Sequence, residues 1–155
     1  MIVRLLTFMV GLTLLAPVSL AAETTAKPVS AFKHATIDAA WKASQKSKRP
    51  LLIFVCSDNC FYCVKMLKET YSHQQIAMAL RATSESVAVK NDDVPELVKQ
   101  FKINAYPTTL VVSPEGKELA RIKGFLPPEK FVAKLFRPAD ERTAQAKAPR
   151  PEATR

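Results

Sequence analysis

Leu51-Leu52-Ile53-Phe54-Val55-Cys56-Ser57-Asp58-Asn59-Cys60-Phe61-Tyr62-Cys63 is the stretch on which the reading of this chain turns. Its first six residues are an unbroken apolar run, the pattern of a strand buried on both faces of a parallel or mixed sheet. Ser57, Asp58 and Asn59 form a turn, and Asn59 or Asp58 is placed to cap a helix that opens at or next to Cys60. In that helix Cys63, Met66, Leu67 and Tyr71 fall on one stripe. A buried strand therefore delivers a C-x-x-C pair to the mouth of a helix. Free N–H groups and the partial positive charge at a helix N-terminus favour a thiolate there, and such sites lower a cysteine pKa to roughly 3.5–7.5. The thiolate is the nucleophile of disulfide exchange. Cys60 is thus read as the nucleophile, and Cys63, one turn further in, as the thiol that resolves a mixed disulfide.

Upstream, Ile37, Ala40, Trp41 and Ser44 repeat at helical spacing behind Thr36, a good N-cap, and Arg49-Pro50 ends that helix. Downstream, the pattern predicts a helix from His73 to Thr83 with Ile76, Ala79 and Leu80 inward, a short strand at Val87–Lys90, and a helix from Asp93 to Phe101 with Pro95 in its first turn. Two strands, Thr108–Val112 and Glu118–Ile122, flank the turn signal Pro114-Glu115-Gly116-Lys117 as a hairpin. Pro127-Pro128-Glu129 opens a last helix with Phe131, Val132, Leu135 and Phe136 toward the core. Alternating helices and strands that end in an antiparallel pair predict an α/β fold: one central mixed sheet flanked by helices on both faces.

The chain has 155 residues, enough for one domain, and at 48% hydrophobic and 24% charged residues its composition excludes wholesale disorder. Its three cysteines, Cys56, Cys60 and Cys63, are too close together to staple distant parts of a fold, so they read as a site. Residues 1–21 read as a signal peptide: Arg4 precedes an apolar run from Leu5 to Ala16, Pro17 breaks it, and Ser19 and Ala21 suit a cut after Ala21, with Ala22 as the neighbouring option. That run is shorter than the ~20 residues a bilayer needs, so no membrane span is expected after cleavage. Export, to the periplasm or otherwise out of the cytosol, would put the thiols in an oxidising compartment. Residues 22–35 read as a flexible lead-in, residues 36–136 as the folded domain, and residues 137–155 as a disordered basic tail. The net charge is +9, but the basic residues are scattered without a binding motif, so nucleic acid is not expected as a partner. A monomer is expected.

With Tyr106-Pro107-Thr108 standing before the hairpin, the order strand, turn, C-x-x-C and helix resembles the thioredoxin superfamily. The continuation from Cys63 to Glu69, the Val-Lys-Asn-Asp stretch and the Lys-Gly-Phe ending are most similar to its exported thiol-disulfide oxidoreductases. The resemblance implies that Pro107 is cis and lies beside Cys60, and that Tyr106 offers its backbone to an extended substrate strand. Phe61 and Tyr62 would flank that substrate. It further implies partners that are protein thiols or disulfides, including a partner that recharges the pair, and a reaction that needs no organic cofactor.

Departures from the family pattern carry information. Asn59 stands where a tryptophan is usual, and Phe54, six positions before Cys60, stands where many members bury an acid that moves a proton from the second thiol. Alternatives stay open for the same residues. Cys56, Cys60 and Cys63 match the spacing of a radical-type iron–sulfur motif, which a small exported chain does not suit. Cys56-x-x-x-Cys60, with Cys63 and a histidine, resembles a copper metallochaperone of the same fold. A non-catalytic binding module with a static disulfide is a further reading. Cys56 is either a small buried apolar residue or an auxiliary thiol. His34 and His73 read as surface residues, Trp41 as a core contact and Glu69 as a helix-face carboxylate.

Overall fold

A computed structural model describes residues 29–135 of the chain. The signal peptide, the start of the lead-in, Phe136 and the tail read from the sequence lie outside the described residues. The fold opens with α1 (Ile37–Ser47), capped by Thr36, whose side chain accepts a hydrogen bond from the Ala39 amide at 3.3 Å. Its stripe buries Ala40 and Ser44, and the Ser44 hydroxyl is satisfied by the Arg49 carbonyl at 2.6 Å. Lys48 then turns the chain in a left-handed conformation into β1 (Leu51–Cys56).

β1 is a central strand. It pairs in parallel with β2 (Glu85–Lys90) and antiparallel with β3 (Thr108–Val112), which pairs with β4 (Glu118–Lys123), giving the order β2-β1-β3-β4. Alternate residues of β1 therefore feed two cores. Leu51, Ile53 and Val55 pack with Ala40, Val87, Val94 and Ile103, beneath α1 and α4 (Pro95–Gln100). Leu52 and Phe54 pack on the other face with Met66, Tyr71, Ile76, Leu80 and Phe131, beneath the helices that follow the cysteine pair, α3 (Gln74–Thr83) and α5 (Pro128–Leu135). Each fully buried side chain of this kind contributes roughly 1.5–3 kcal/mol by leaving water. This is the mixed sheet flanked on both faces that the sequence pattern predicts.

Four local features differ from that pattern. The helix after Cys60 is not one regular helix: α2 (Phe61–Lys65) passes into a π-helical segment at Met66–Tyr71. The wider turn carries Tyr71 into the core, where its ring meets Phe54 at 4.9 Å edge-on, Phe32 at 4.8 Å and Phe131 at 5.4 Å. Ala77 rather than Ala79 is buried in α3, and Val132 of α5 faces solvent, because each helix presents a narrower stripe than its apolar content suggests. The stretch from Asp93 to Phe101 is divided: residues Asn91–Asp93 form a 3-10 turn, and α4 begins only at Pro95, whose missing N–H is harmless at a first helical position.

The fourth difference concerns the lead-in. Its described residues, 29–35, are anchored to the edge of β2. The amides of Lys33 and His34 both donate to the Ser86 carbonyl, at 3.0 and 3.1 Å, and the Ser86 hydroxyl donates to the Ala31 carbonyl at 2.6 Å. Ala31 is buried and Phe32 stacks into the aromatic cluster. His34 is not a free surface residue, since its Nε2 sits 2.8 Å from a Glu85 carboxylate oxygen that also takes Lys33 at 2.8 Å. This segment shields the polar edge that β2 would otherwise expose.

Candidate active site

The end of β1 and the start of α2 place the three cysteines around one cavity of about 530 Å³, which Asp58, Phe61 and Leu67 also line. Cys60 and Cys63 form a disulfide, with S–S 2.01 Å. Asn59 enters it in the left-handed conformation, φ 54°, which asparagine tolerates better than most residues. Neither Asn59 nor Asp58 caps the helix. Cys60 is itself the N-cap, its Sγ accepting a hydrogen bond from the Cys63 amide at 3.1 Å, while Asp58 pairs with Lys90 at 2.8 Å. The oxygen-based capping rule failed because a thiol at the same position reaches the same amide. Chemically, the substitution gives Cys60 a donor aimed at its sulfur, which stabilises a thiolate when the pair is reduced.

Exposure separates the two sulfurs. Cys60 is half-buried, whereas Cys63 is 3% exposed and packs in the core with Met66 and Tyr71. Between them Phe61 and Tyr62 stand out of the surface, at 72% and 56% exposure, the most open of the large apolar side chains described. Tyr62 lies nearly parallel to Phe125 with ring centres 6.4 Å apart, and the Lys65 ammonium sits 4.8 Å above the same Phe125 ring.

Phe125 has no helical or strand periodicity to announce it. Its position follows from Gly124, whose φ of 78° suits glycine and whose amide donates to the Pro107 carbonyl at 2.8 Å. That bond ties the segment between β4 and α5 to the loop before β3. In the same loop the Tyr106–Pro107 peptide bond is cis, Pro107 is buried, and half-buried Tyr106 contacts both cores. Because Val55 pairs with Thr108, this loop meets the sheet at the end where β1 delivers Cys56 and the turn into Cys60.

Cys56 is a free thiol in the same cavity. Burial pushes its thiol above the ordinary value, against the pull of the nearby Lys90 ammonium, and its Sγ donates to the Val89 carbonyl at 3.3 Å. Among the described residues no group of three or more His, Cys, Asp or Glu side chains is arranged to hold a metal ion. His73 lies exposed at the start of α3, and Glu69 is an exposed helix-face carboxylate 4.0 Å from Lys65. Trp41 is half-buried against the α1/α4 core.

Phe54 fills the place beneath the pair with an apolar ring. Its strand partner Thr109 carries a buried hydroxyl bonded to the Tyr71 phenol at 2.7 Å. Burial holds that phenol protonated, far above the usual tyrosine range, so the Tyr71–Thr109 pair supplies no base.

A family model described as a thioredoxin-like domain matches residues 37–137 of this chain. The chain belongs to the thioredoxin-like family. Within the thioredoxin superfamily, it is 29% identical over 115 residues to the thiol:disulfide interchange protein DsbD of Ralstonia nicotianae, a match covering 72% of this chain and 19% of that protein. The chain therefore spans about a fifth of the length of the curated relatives it matches. Among solved structures, a thioredoxin from Thermus thermophilus superposes with a TM-score of 0.61 at 20% identity, covering 76% of this chain and 92% of that one. The reduced C-terminal domain of Neisseria meningitidis DsbD superposes with a TM-score of 0.54 at 22% identity, covering 61% and 87%. These likenesses establish the α/β thioredoxin-like fold. Family membership and the paired Cys60 and Cys63 together support thiol-disulfide oxidoreductase chemistry at the general level. No helix of the described residues is long and apolar enough to cross a membrane.

Proposed function

We propose that this thioredoxin-like domain is an exported thiol-disulfide oxidoreductase acting on protein cysteines. The observation that carries the reading is the contrast within the Cys60–Cys63 disulfide: a half-exposed sulfur with an amide donor aimed at it, joined to a buried one. In the reducing direction the Cys60 thiolate attacks one sulfur of a client disulfide. A Cys60–client disulfide forms and the other client sulfur leaves as thiolate. The Cys63 thiolate then attacks the Cys60 sulfur, re-forming Cys60–Cys63 and releasing the second client thiol. The client gains two electrons that the cysteine pair loses, and the reverse sequence oxidises a client dithiol. No organic cofactor enters the balance.

Supporting a protein substrate, the exposed Phe61 and Tyr62 with Phe125 form an apolar rim, and the Tyr106-Pro107 loop offers main chain to an extended segment. The signal-like residues 1–21 support export, with the periplasm as the compartment in which such a couple would work. The protein would act as a monomer, recharged by a separate redox partner.

The direct test is trapping. Cys63→Ala in the presence of oxidised client protein should accumulate a mixed disulfide through Cys60, and Cys60→Ala should accumulate none. Failure of the native pair to oxidise and reduce reversibly against glutathione overturns the reading. The same titration sets the direction: a potential near about −270 mV marks a reductant and one near about −120 mV an oxidant.

A further inference from the structure

A second concavity of about 410 Å³ opens at the far end of the sheet, where Leu51 starts β1, whereas Cys56 at the other end of the strand lines the redox cavity. Its walls are half-buried apolar side chains, Ile37 and Trp41 from α1 and Leu97 and Phe101 from the α4 side, and its rim carries two exposed carboxylates, Asp38 and Glu115. The Trp41 indole lies over the β3–β4 turn, close enough that a Cβ added at Gly116 would touch it at 3.6 Å. The Ser113 hydroxyl, with help from the Lys48 charge, keeps the Glu115 carboxyl below its ordinary range and therefore ionised.

An aromatic wall with an acidic rim selects a particular chemistry. Flat aromatic faces suit the ridges of an extended proline-bearing segment, which enters the groove with little conformational freedom left to lose. The faces of Trp and Phe also attract a cation, and carboxylates at the rim complete its recognition. On a chain of net charge +9 such an acidic groove complements the rest of the molecule.

We propose that this groove docks, in cis, the chain's own segment Lys147-Ala148-Pro149-Arg150-Pro151, with the two prolines against Trp41 and Phe101 and the Arg150 guanidinium toward Asp38 and Glu115. The segment lies beyond the described residues, and the chain available to reach the groove is sufficient. The tail leaves from α5, on the sheet face opposite α1 and α4, and residues 136–146 can extend about 36 Å around the sheet of a domain whose radius of gyration is about 13 Å. Tethering at this length raises the local concentration to about millimolar, so a weak groove is enough to be filled. The assignment is independent of the redox reading.

Trp41 is the single tryptophan of the chain, so its emission reports this groove alone. With the tail intact, the indole should be shielded from acrylamide. Replacing Pro149 and Pro151 by Ala together with Arg150→Glu should raise the quenching constant about twofold as the segment leaves. The exposed-site pair Asp38→Asn and Glu115→Gln should do the same, and adding the tail changes to it should have no further effect. Unchanged circular dichroism melting in each variant separates release of the tail from loss of the fold. Equal quenching in native and tail-variant protein overturns the proposal, as do additive effects of the two sets. Shielding that fades on dilution also overturns it, because a second copy would then be supplying the segment.

Discussion

The backbone amide of Cys63 donates to the sulfur of Cys60 at 3.1 Å, so the buried cysteine of the pair holds the half-buried one in place as its helix cap. The two sulfurs should therefore react unequally once reduced. At mildly acidic pH, iodoacetamide should label Cys60 at least about tenfold faster than Cys63, because only Cys60 combines solvent access with a donor that stabilises its thiolate. Peptide mapping after a timed quench checks this, and equal labelling would contradict the roles assigned to the pair.

Cys56 shares their cavity but not their chemistry. Burial raises its thiol and the Val89 carbonyl takes its hydrogen, so in the native protein it should alkylate slowly near neutral pH and speed up only in alkaline buffer. Cys56→Ala should leave reversible oxidation of Cys60 and Cys63 intact. Loss of cycling in that variant would make Cys56 an exchange thiol after all.

The Tyr71 phenol and the Thr109 hydroxyl are buried and bonded to each other at 2.7 Å. Tyr71→Phe should cost about 1–2 kcal/mol by leaving Thr109 without that partner, whereas adding Thr109→Val should recover part of the loss. Urea unfolding of the two single variants and the double variant gives the coupling energy, and strict additivity would show that the bond contributes nothing.

Glu85 ties the 29–35 segment to β2. Its burial alone would raise the carboxyl, but hydrogen bonds from Lys33 and His34 outweigh that and hold it below its ordinary 4.5. A depressed carboxyl adds stability that is fully present above the unfolded value and is lost as pH falls through the folded one. Glu85→Gln should therefore cost about 1–3 kcal/mol at neutral pH, and the gap to native protein should close below about pH 4.5. A gap that stays constant through the acid range would assign the effect to packing.

Asn59 occupies a left-handed position directly before the pair. Asn59→Val should lose about 1–2 kcal/mol of stability, since a β-branched side chain meets the backbone there, and Asn59→Gly should be close to neutral. Thermal melting of both variants decides it.

What could be read before the structure depended on whether the signal was local. The six apolar residues of β1 identified a central strand because a strand with helices over both faces has no polar side. The C-x-x-C at its end located the pair for the same reason, as chain direction alone puts Cys60 at a helix start. The cap differs because capping rules rank side-chain oxygens, which favours Asp58 or Asn59, whereas the Cys60 sulfur reaches the Cys63 amide. The π-helical segment left no mark, since Met66 and Leu67 fit an ordinary helix equally well, and only the need to seat Tyr71 against Phe54 selects the wider turn. Nothing local marks the order of the 29–35 segment, because it comes from a strand more than fifty residues away.

The alternation of elements, the central strand, the mixed sheet and the two cysteines that close the disulfide are all encoded by neighbours along the chain. The thiol cap at Cys60, the π-helical seat of Tyr71 and the meeting of Phe125 with Tyr62 through the Gly124–Pro107 bond belong to the folded molecule. Those features arise where segments distant in sequence meet, and a pairing across space depends on the packing of the whole sheet and not on any one stretch of residues.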